Sequence, residues 1–501
     1  MLSKSKYCAF TQCPKRLWLQ TFKPEVSEEH GAADTRMKTG SEVGDLARGL
    51  FGDYTEVTVH TENGRLDIPA MISHTKQLIA ENHPVICEAS FSWEGNYCAV
   101  DILRRENGGY AIYEVKSTTH EAEIYGIDIA YQKFVLENCG VHVTGTYLVC
   151  INSDYVRGEE LDIGQLFQII DMSDHVELES PLVVGKIKHA EETLAQKEEP
   201  VRDIAERCEE PYHCPFWSYC ARHLPEQSVF DLYRLSRKKK FDFYRRGIIS
   251  YADALAVPSL SDTQLRQIQF RLRDCGTHID REGIRDFLNT LSYPIYFLDF
   301  ETMQLAVPQF PGTRPYQQIP FQYSLHYIEE PGGELKHKEF LAESGVDPRR
   351  AIAESLCRDI PMHTCVTAYN RGFECGRIKE LAAQFPDLAP HLLNIRSNIQ
   401  DLLTPFQSGC YYNRAMGGSF SIKSVLPALY PNDPALDYHN LEGVHNGGEA
   451  MELFPRIKDL PPEEQAIARK NLLEYCKLDT YAMVKVWEEL VRVSKRKDRE
   501  I

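Results

Sequence analysis

The segment Tyr296–Thr302, YFLDFET, places Asp299 and Glu301 two residues apart at the end of an apolar run. In an extended strand such residues share a face, so both carboxylates are driven into one small volume. Like charges at that spacing repel, and one acid must keep its proton unless a cation lies between them. Mg2+ and Mn2+ prefer hard oxygen ligands, and two such ions about 4 Å apart stabilise the attacking and leaving oxygens of a phosphodiester displacement. A site of that kind needs further carboxylates, drawn from other elements of the fold.

The second half of the chain supplies them. YCKLD puts Tyr475 and Asp479 at i and i+4, on one helix face. Asp479 is a candidate ligand, and the Tyr475 hydroxyl is a candidate for orienting the attacking water. In TAYNRGFECGRIKEL, Asn370 and Glu374 are again four apart, at a loop-to-helix start. The ordered set DFET, YNRGFE, YCKLD resembles the DEDD exonucleases of the ribonuclease-H-like fold, with the tyrosine form of the last motif. The resemblance implies a 3′→5′ exonuclease using two divalent ions, Mg2+ or Mn2+. It assigns Asp299, Glu301 and Asp479 as ligands and Tyr475 to the water. Glu374 takes the metal-binding place where the family usually has Asp, with Asp401 of NIQDLL in reserve. Lys423, in GGSFSIKSVLPAL, either meets a phosphate or merely opens a helix.

The first half carries a second set. YCAVDILRRENGGYAIYEVKS reads as a β-hairpin, with Asp101 ending one strand and Glu114 and Lys116 on one face of the next. The two acids suit magnesium, and a lysine beside them lowers the pKa of an attacking water or neutralises developing charge. GSEVGDLARGLF adds Glu42 on a helix, and IDIAYQKFVLENCG adds Gln132. This pattern resembles the PD-(D/E)XK nuclease core of the RecB type. The resemblance implies that Glu42, Asp101, Glu114, Lys116 and Gln132 are active-site positions, with Asp101 and Glu114 holding one or two metal ions. Leu136 stands where that family often has a tyrosine.

Of the 15 cysteines, Cys208, Cys214 and Cys220 lie in CEEPYHCPFWSYC, and Cys13 lies far upstream in CPKRLW. Four thiolates suit a [4Fe–4S] cluster or a structural zinc. The arrangement resembles the iron-staple nucleases, in which one N-terminal and three C-terminal cysteines clamp the domain ends. It implies a [4Fe–4S] cluster on Cys13, Cys208, Cys214 and Cys220, with zinc as second choice. The last three cysteines are spaced by five and five residues, where those families commonly have two and five. Cys8 is a bystander or a substitute ligand.

Length and composition set the frame. At 501 residues the chain is expected to hold two or three domains. With 43% hydrophobic and 26% charged residues it has the balance of an ordinary globular protein. No apolar run is long enough for a membrane helix, and MLSKSKYCAFTQCPKRLWL does not read as a secretory signal, so a cytoplasmic location is expected by default. A net charge of −17 excludes a coat of positive potential, although nucleic acid responds only to the local field along a groove. One basic run, RLSRKKKFDFYRR, interleaves Arg234, Arg237, Lys238, Lys239, Lys240, Arg245 and Arg246 with Phe241, Phe243 and Tyr244. It reads either as a strand-guiding surface with stacking aromatics or as a solvated helix whose aromatics are core.

The expectation is an α/β protein. A restriction-endonuclease-like PD-(D/E)XK domain spans 1–225, a basic helical module 226–285, and a ribonuclease-H-like exonuclease domain 286–495. The combination resembles a bacterial family joining the two folds. Its expected partner is nucleic acid and not membrane: single-stranded or frayed DNA first, RNA second, in repair, recombination or defence. A nucleic-acid-binding scaffold with one or both sites inactive is the alternative.

Overall fold

The computed structural model describes residues 1–28 and 32–495. The chain is mixed α/β and divides into two compact units, one formed by residues 1–224 with 305–316 and the other by 225–304 with 317 onward. No helix among the described residues is long and apolar enough to cross a membrane.

In the first unit, strands β1 (Leu2–Ser3), β2 (Thr55–Glu56), β3 (Val85–Trp93), β4 (Asn96–Glu106), β5 (Gly109–Lys116), β6 (Val143–Ile151) and β7 (Phe167–Asp171) form one sheet. Its order is β2-β3-β4-β5-β6-β7, with β1 beside β4. The β4–β5 hairpin turns on Asn107 and Gly108, at φ 52° and 79°, the left-handed pair that matches strand twist in a two-residue turn. The next pairing, β5 with β6, is parallel, and a parallel neighbour requires a crossover. The helices are α1 (Lys4–Gln12), α2 (Pro14–Phe22), α3 (Ala32–Arg48), α4 (Glu123–Asn138), which makes that crossover, and α5 (Ser173–Ala195). Both sheet faces are covered. Leu103, Ile112 and Leu148 pack with Ile129 and Val135 of α4 and Val183 of α5. Their strand neighbours Ile102, Ala111 and Val149 pack with Val43 and Ala47 of α3, which is the period of two written into packing.

In the second unit the strands are β8 (Thr277–Ile279), β9 (Ile295–Gln304), β10 (Gln318–Ile328), β11 (Lys336–Leu341), β12 (Cys365–Ala368), β13 (Ile399–Asp401) and β14 (Tyr411–Asn413). Five form a sheet in the order β11-β10-β9-β12-β13. β10 is antiparallel to both neighbours, whereas β9, β12 and β13 are mutually parallel. Helices α6 (Arg237–Arg245), α7 (Asp262–Leu272), α8 (Gly372–Gln384), α9 (Ile422–Leu429), α10 (Gly447–Leu453) and α11 (Pro462–Lys495) complete what positions the site. β9 is central and alternates its contacts. Tyr296, Leu298 and Phe300 enter the core with α8, while Ile295 and Phe297 face Met483 and Val484 of α11.

The expected linker over 226–285 is not a separate module but belongs to the second unit. β8 pairs with β14, and Arg266 donates to the Gly409 carbonyl at 2.9 Å. Buried Gln267 donates to the Asp231 carbonyl (3.0 Å), the Tyr251 hydroxyl (2.6 Å) and the Gly417 carbonyl (2.9 Å). The strand-guiding reading of the basic run also fails in part. Phe241 and Phe243 are buried, and Tyr244 packs edge-on against Phe230, so the first two rings are core and not stacking platforms. The basic side chains Arg234, Arg237, Lys238, Lys239, Arg245 and Arg246 remain exposed. Gln267→Ala removes one donor from three acceptors and should cost about 1–3 kcal/mol. The second unit's thermal transition is expected to drop by roughly 2–4 °C for each kcal/mol, read by scanning calorimetry against Lys239→Ala, which should leave it in place.

Candidate functional site

β9 carries Asp299 and Glu301 out of the apolar half of its face, beside Ile295 and Phe297, toward α11. There, ligand atoms of Asp299, Glu301 and Cys476 all lie within 4.8 Å of one another. The Cys476 sulfur is 3.9 Å from Asp299 Oδ2. On the same helix, Asp479 Oδ1 accepts a 2.6 Å hydrogen bond from the Tyr438 hydroxyl, and the Tyr438 and Tyr475 rings stand 6.0 Å apart. The Lys423 ammonium lies 5.3 Å from the Tyr438 ring centre and 5.7 Å from that of Tyr475. A Cβ at Gly447, where α10 begins, would sit 3.5 Å from Glu301 Oε2 and 4.0 Å from the Tyr475 hydroxyl. That helix start therefore walls the site.

Glu374 enters from the first turn of α8. It is 2% exposed, and its Oε2 has no hydrogen-bond partner among the described residues. Asp401, the reserve candidate, has another task. Its carboxylate accepts from the backbone N–H of Asn370 (2.9 Å), Arg371 (3.2 Å) and Leu403 (3.0 Å), which builds the turn before α8. Asn370 itself is exposed, at φ 67°. Cys476 and Tyr438 were not singled out from sequence. Cys476 lies inside YCKLD, and Tyr438 sits in an irregular segment with no period to place it.

The electrostatics follow from burial. Desolvation raises Asp299 well above the usual carboxylate range, and the charges of Asp479, Glu301 and Glu374 raise it further. Glu301 is raised by burial and by Asp479, against the pull of Lys423. Burial lifts Asp479 to about 6, although the Tyr438 hydrogen bond and the Lys423 charge oppose it. Glu374 is pushed to about 8, by burial first and then by Asp401. Asp299 and Glu301 thus meet in one poorly solvated volume. The Asp479 charge acts on both and that of Glu374 on Asp299, a set of oxygen donors that fits hard divalent cations.

The first unit solves the same problem with its own cations. Glu114 is fully buried (0% exposed). Its carboxylate accepts from Lys4 Nζ at 3.0 and 3.2 Å, from Gln132 Nε2 at 2.7 Å and from Lys116 Nζ. Asp101 accepts from the Val115 N–H at 2.7 Å and from Lys4 at 3.5 Å. Asp128 accepts from Lys116 and Gln132, both at 3.1 Å. Burial alone would raise Glu114, but the Lys116 and Lys4 charges hold it below the usual carboxylate range. Asp101 and Asp128 are raised by desolvation and by the charge of Glu114. Gln132 Oε1 is buried and without a partner among the described residues. Asp101, Glu114, Lys116 and Gln132 thus come together around Glu114; Glu42 does not join them. It is exposed, while Ser41, Asp45 and Arg48 of the same helix line the cavity beside Asp101, Glu114 and Glu88. The helix phase had been set one position away. Lys4 and Asp128 were missed. Asp128 was legible in principle, four residues before Gln132 on one helix face; Lys4 arrives through β1 pairing with β4 and leaves no local signal.

Cys13, Cys208, Cys214 and Cys220 line one cavity. Gln12, the last residue of α1, donates to the carbonyls of Arg207 (2.8 Å), Glu210 (3.0 Å) and Tyr212 (2.7 Å), so the loop between Cys208 and Cys214 is sewn to the first helix without any metal. Burial raises the thiols of Cys208, Cys214 (to about 11) and Cys220. Among the described residues, no three of these sulfurs lie mutually within 4.8 Å. Cys8 lies apart, lining a neighbouring cavity with Lys4 and Asp128.

Residues 296–421 match the family model of a domain of unknown function, DUF2779, a span that holds Asp299, Glu301 and Glu374. No curated protein matches the chain.

The raised acids fix the sign of a pH effect. Between its ordinary 4.5 and about 8, Glu374 stays protonated in the folded chain while the unfolded chain has ionised. Stability of the metal-free protein therefore falls as pH rises through that window, by about 1.4 kcal/mol per pH unit for one full proton. Glu374→Gln should flatten the fall of Tm between pH 5 and 8, measured by thermal scanning in chelator. Added Mn2+ should raise Tm by more at pH 8 than at pH 5.

Proposed function

We propose that this protein is a metal-dependent nuclease whose principal centre is Asp299, Glu301, Glu374 and Asp479 in the second unit, acting as a 3′→5′ exonuclease on single-stranded or frayed DNA. The observation that carries the reading is the buried meeting of Asp299 and Glu301, with the Asp479 charge acting on both and that of Glu374 on Asp299, and with Tyr475 on the helix that carries Asp479. The strand order β11-β10-β9-β12-β13, with β10 reversed, supports a ribonuclease-H-like fold for this unit. Two divalent ions in such a site supply phosphate polarisation and an activated water. The chain's own residues do the rest. The Tyr475 hydroxyl orients the water, Tyr438 holds Asp479 by its 2.6 Å hydrogen bond, and Lys423 offsets the charge of the incoming phosphate.

The second nuclease centre is Asp101, Glu114, Lys116 and Gln132. The arrangement of α3, the hairpins β3–β4–β5, crossover α4 and parallel β6 supports a PD-(D/E)XK core around it. We further propose a [4Fe–4S] cluster on Cys13, Cys208, Cys214 and Cys220, structural in role, since closing nearly the whole unit into a loop contributes folding energy directly.

The reading predicts stepwise shortening of 5′-labelled single-stranded DNA in Mn2+, and at least about a hundredfold loss in Asp299→Ala or Asp479→Ala. A parallel RNA strand reports substrate preference. Unshortened strands that still shift on a gel would sink the exonuclease and leave a binding scaffold. For the clamp, Cys214→Ser should abolish the first unit's calorimetric transition and keep the second's; survival of both transitions with unchanged Tm counts against a bound cluster.

A further inference from the structure

Lys4 stands where a metal would. Its Nζ lies 3.5 Å from Asp101 Oδ1 and 3.0 and 3.2 Å from the two oxygens of Glu114. A magnesium or manganese ion taking one oxygen from each acid would approach those same oxygens to about 2.0–2.2 Å, so ion and ammonium compete for one pair of acids. Local helix physics does not explain the lysine. It is the first residue of α1, behind the N-cap Ser3, and a cation at a helix N-terminus opposes the macrodipole. The carboxylates account for its position.

The surroundings allow the side chain, and only the side chain, to move. The backbone is pinned on the N-terminal side, where the Leu2 N–H donates to the Gly95 carbonyl at 2.8 Å and the Tyr131 hydroxyl donates to the Leu2 carbonyl at 2.6 Å. Lys4 lines two cavities. One, of about 380 Å³, contains Asp101, Glu114 and Arg48; the other, of about 240 Å³, contains Asp128, Tyr125 and Tyr212. An ammonium leaving the first pair of acids finds Asp128 across the second cavity.

We propose that Lys4 is a built-in counter-cation of the Asp101–Glu114 site, displaced toward Asp128 when a divalent ion binds. This rests on the reading of that site as a metal centre. With Lys4 in place, its ammonium and that of Lys116 offset part of the charge of Asp101, Glu114 and Asp128, while Arg48 faces Glu88 at 3.3 Å in the same cavity, so the affinity for a divalent ion is held down. The first unit then engages metal only when the free concentration is high enough to compete with its own lysine.

The test uses the full chain carrying Asp299→Ala and Asp479→Ala, so that Mn2+ binding reports the first unit. Bound Mn2+ is counted by electron paramagnetic resonance of the free ion. Lys4→Met is expected to tighten binding about tenfold or more, and Glu114→Ala to abolish it. Independently, acetylation of Lys4 by an amine-reactive ester, quantified by mass spectrometry, should be slow in chelator and speed up several-fold as Mn2+ saturates. That second readout needs no change at position 4. Weaker or unchanged Mn2+ binding in Lys4→Met, or Lys4 reactivity that ignores Mn2+, overturns the counter-cation while Glu114→Ala still defines a metal site. Binding indifferent to Glu114→Ala overturns the metal-centre reading and the inference with it.

Discussion

The burial of like charge is the constraint around which the second unit is organised. Asp299 and Glu301 lie on a central strand flanked on both sides by others, and Asp479 and Glu374 are brought to them by two helices. Desolvation pushes all four carboxyls upward, and neighbouring acids of the set add to it at Asp299 and Glu301, a cost that a fold selected for stability alone would shed. What holds them there is the packing behind them. Leu298 and Phe300 anchor β9 in one core, Phe297 with Met483 and Val484 locks the same strand to α11 in the other, and neither acid can withdraw without moving a buried ring.

The two units answer the same electrostatic problem in different ways. In the first, Lys4 and Lys116 sit among Asp101, Glu114 and Asp128, and Glu114 is held ionised although fully buried. In the second, the Lys423 ammonium acts on Glu301 and Asp479 and approaches the Tyr438 and Tyr475 rings. A site already satisfied by internal cations is stable when empty and slow to recruit others. A site left electrostatically unsatisfied recruits cations or protons, whichever the medium supplies. The contrast arises from charge placement alone, with similar acids in both.

What could be read in the sequence was what repeats locally. The period of two in YFLDFET, the ENGG turn between β4 and β5, and the four-residue spacing of Tyr475 and Asp479 each translate directly into shared faces. Phase and long-range pairing were not legible. Glu42 was drawn from a helix whose cavity-facing residues are Ser41 and Asp45. Phe241 and Phe243 stood between stacking surface and core because composition does not say which side of a short helix is covered, and the structure puts both in the core. Segment 226–285 looked like a linker because its binding to Gly409, Gly417 and β14 passes through Arg266, buried Gln267 and β8 pairing. Lys4, Gln12 and Tyr438 gain their roles only from partners tens to hundreds of residues away.

The start of the chain illustrates why such contacts matter together. α1 runs from Lys4 to Gln12, about 13 Å at 1.5 Å per residue. Its first residue enters the acids of the first-unit site; its last grips three carbonyls around Cys208 and Cys214, and Cys13 follows at once. Between these ends Tyr7 is fully buried, stacked on Tyr131 of α4 at 4.5 Å. A short, well-packed helix transmits position faithfully, because close-packed interiors deform little. Whatever fixes the cysteine end of α1 therefore also fixes where the Lys4 backbone stands relative to Asp101 and Glu114. On this geometry one short helix joins the cysteine-lined cavity to the acids, and loosening the hold of Gln12 on the loop between Cys208 and Cys214 would shift Lys4 relative to Glu114 before it unfolded the sheet.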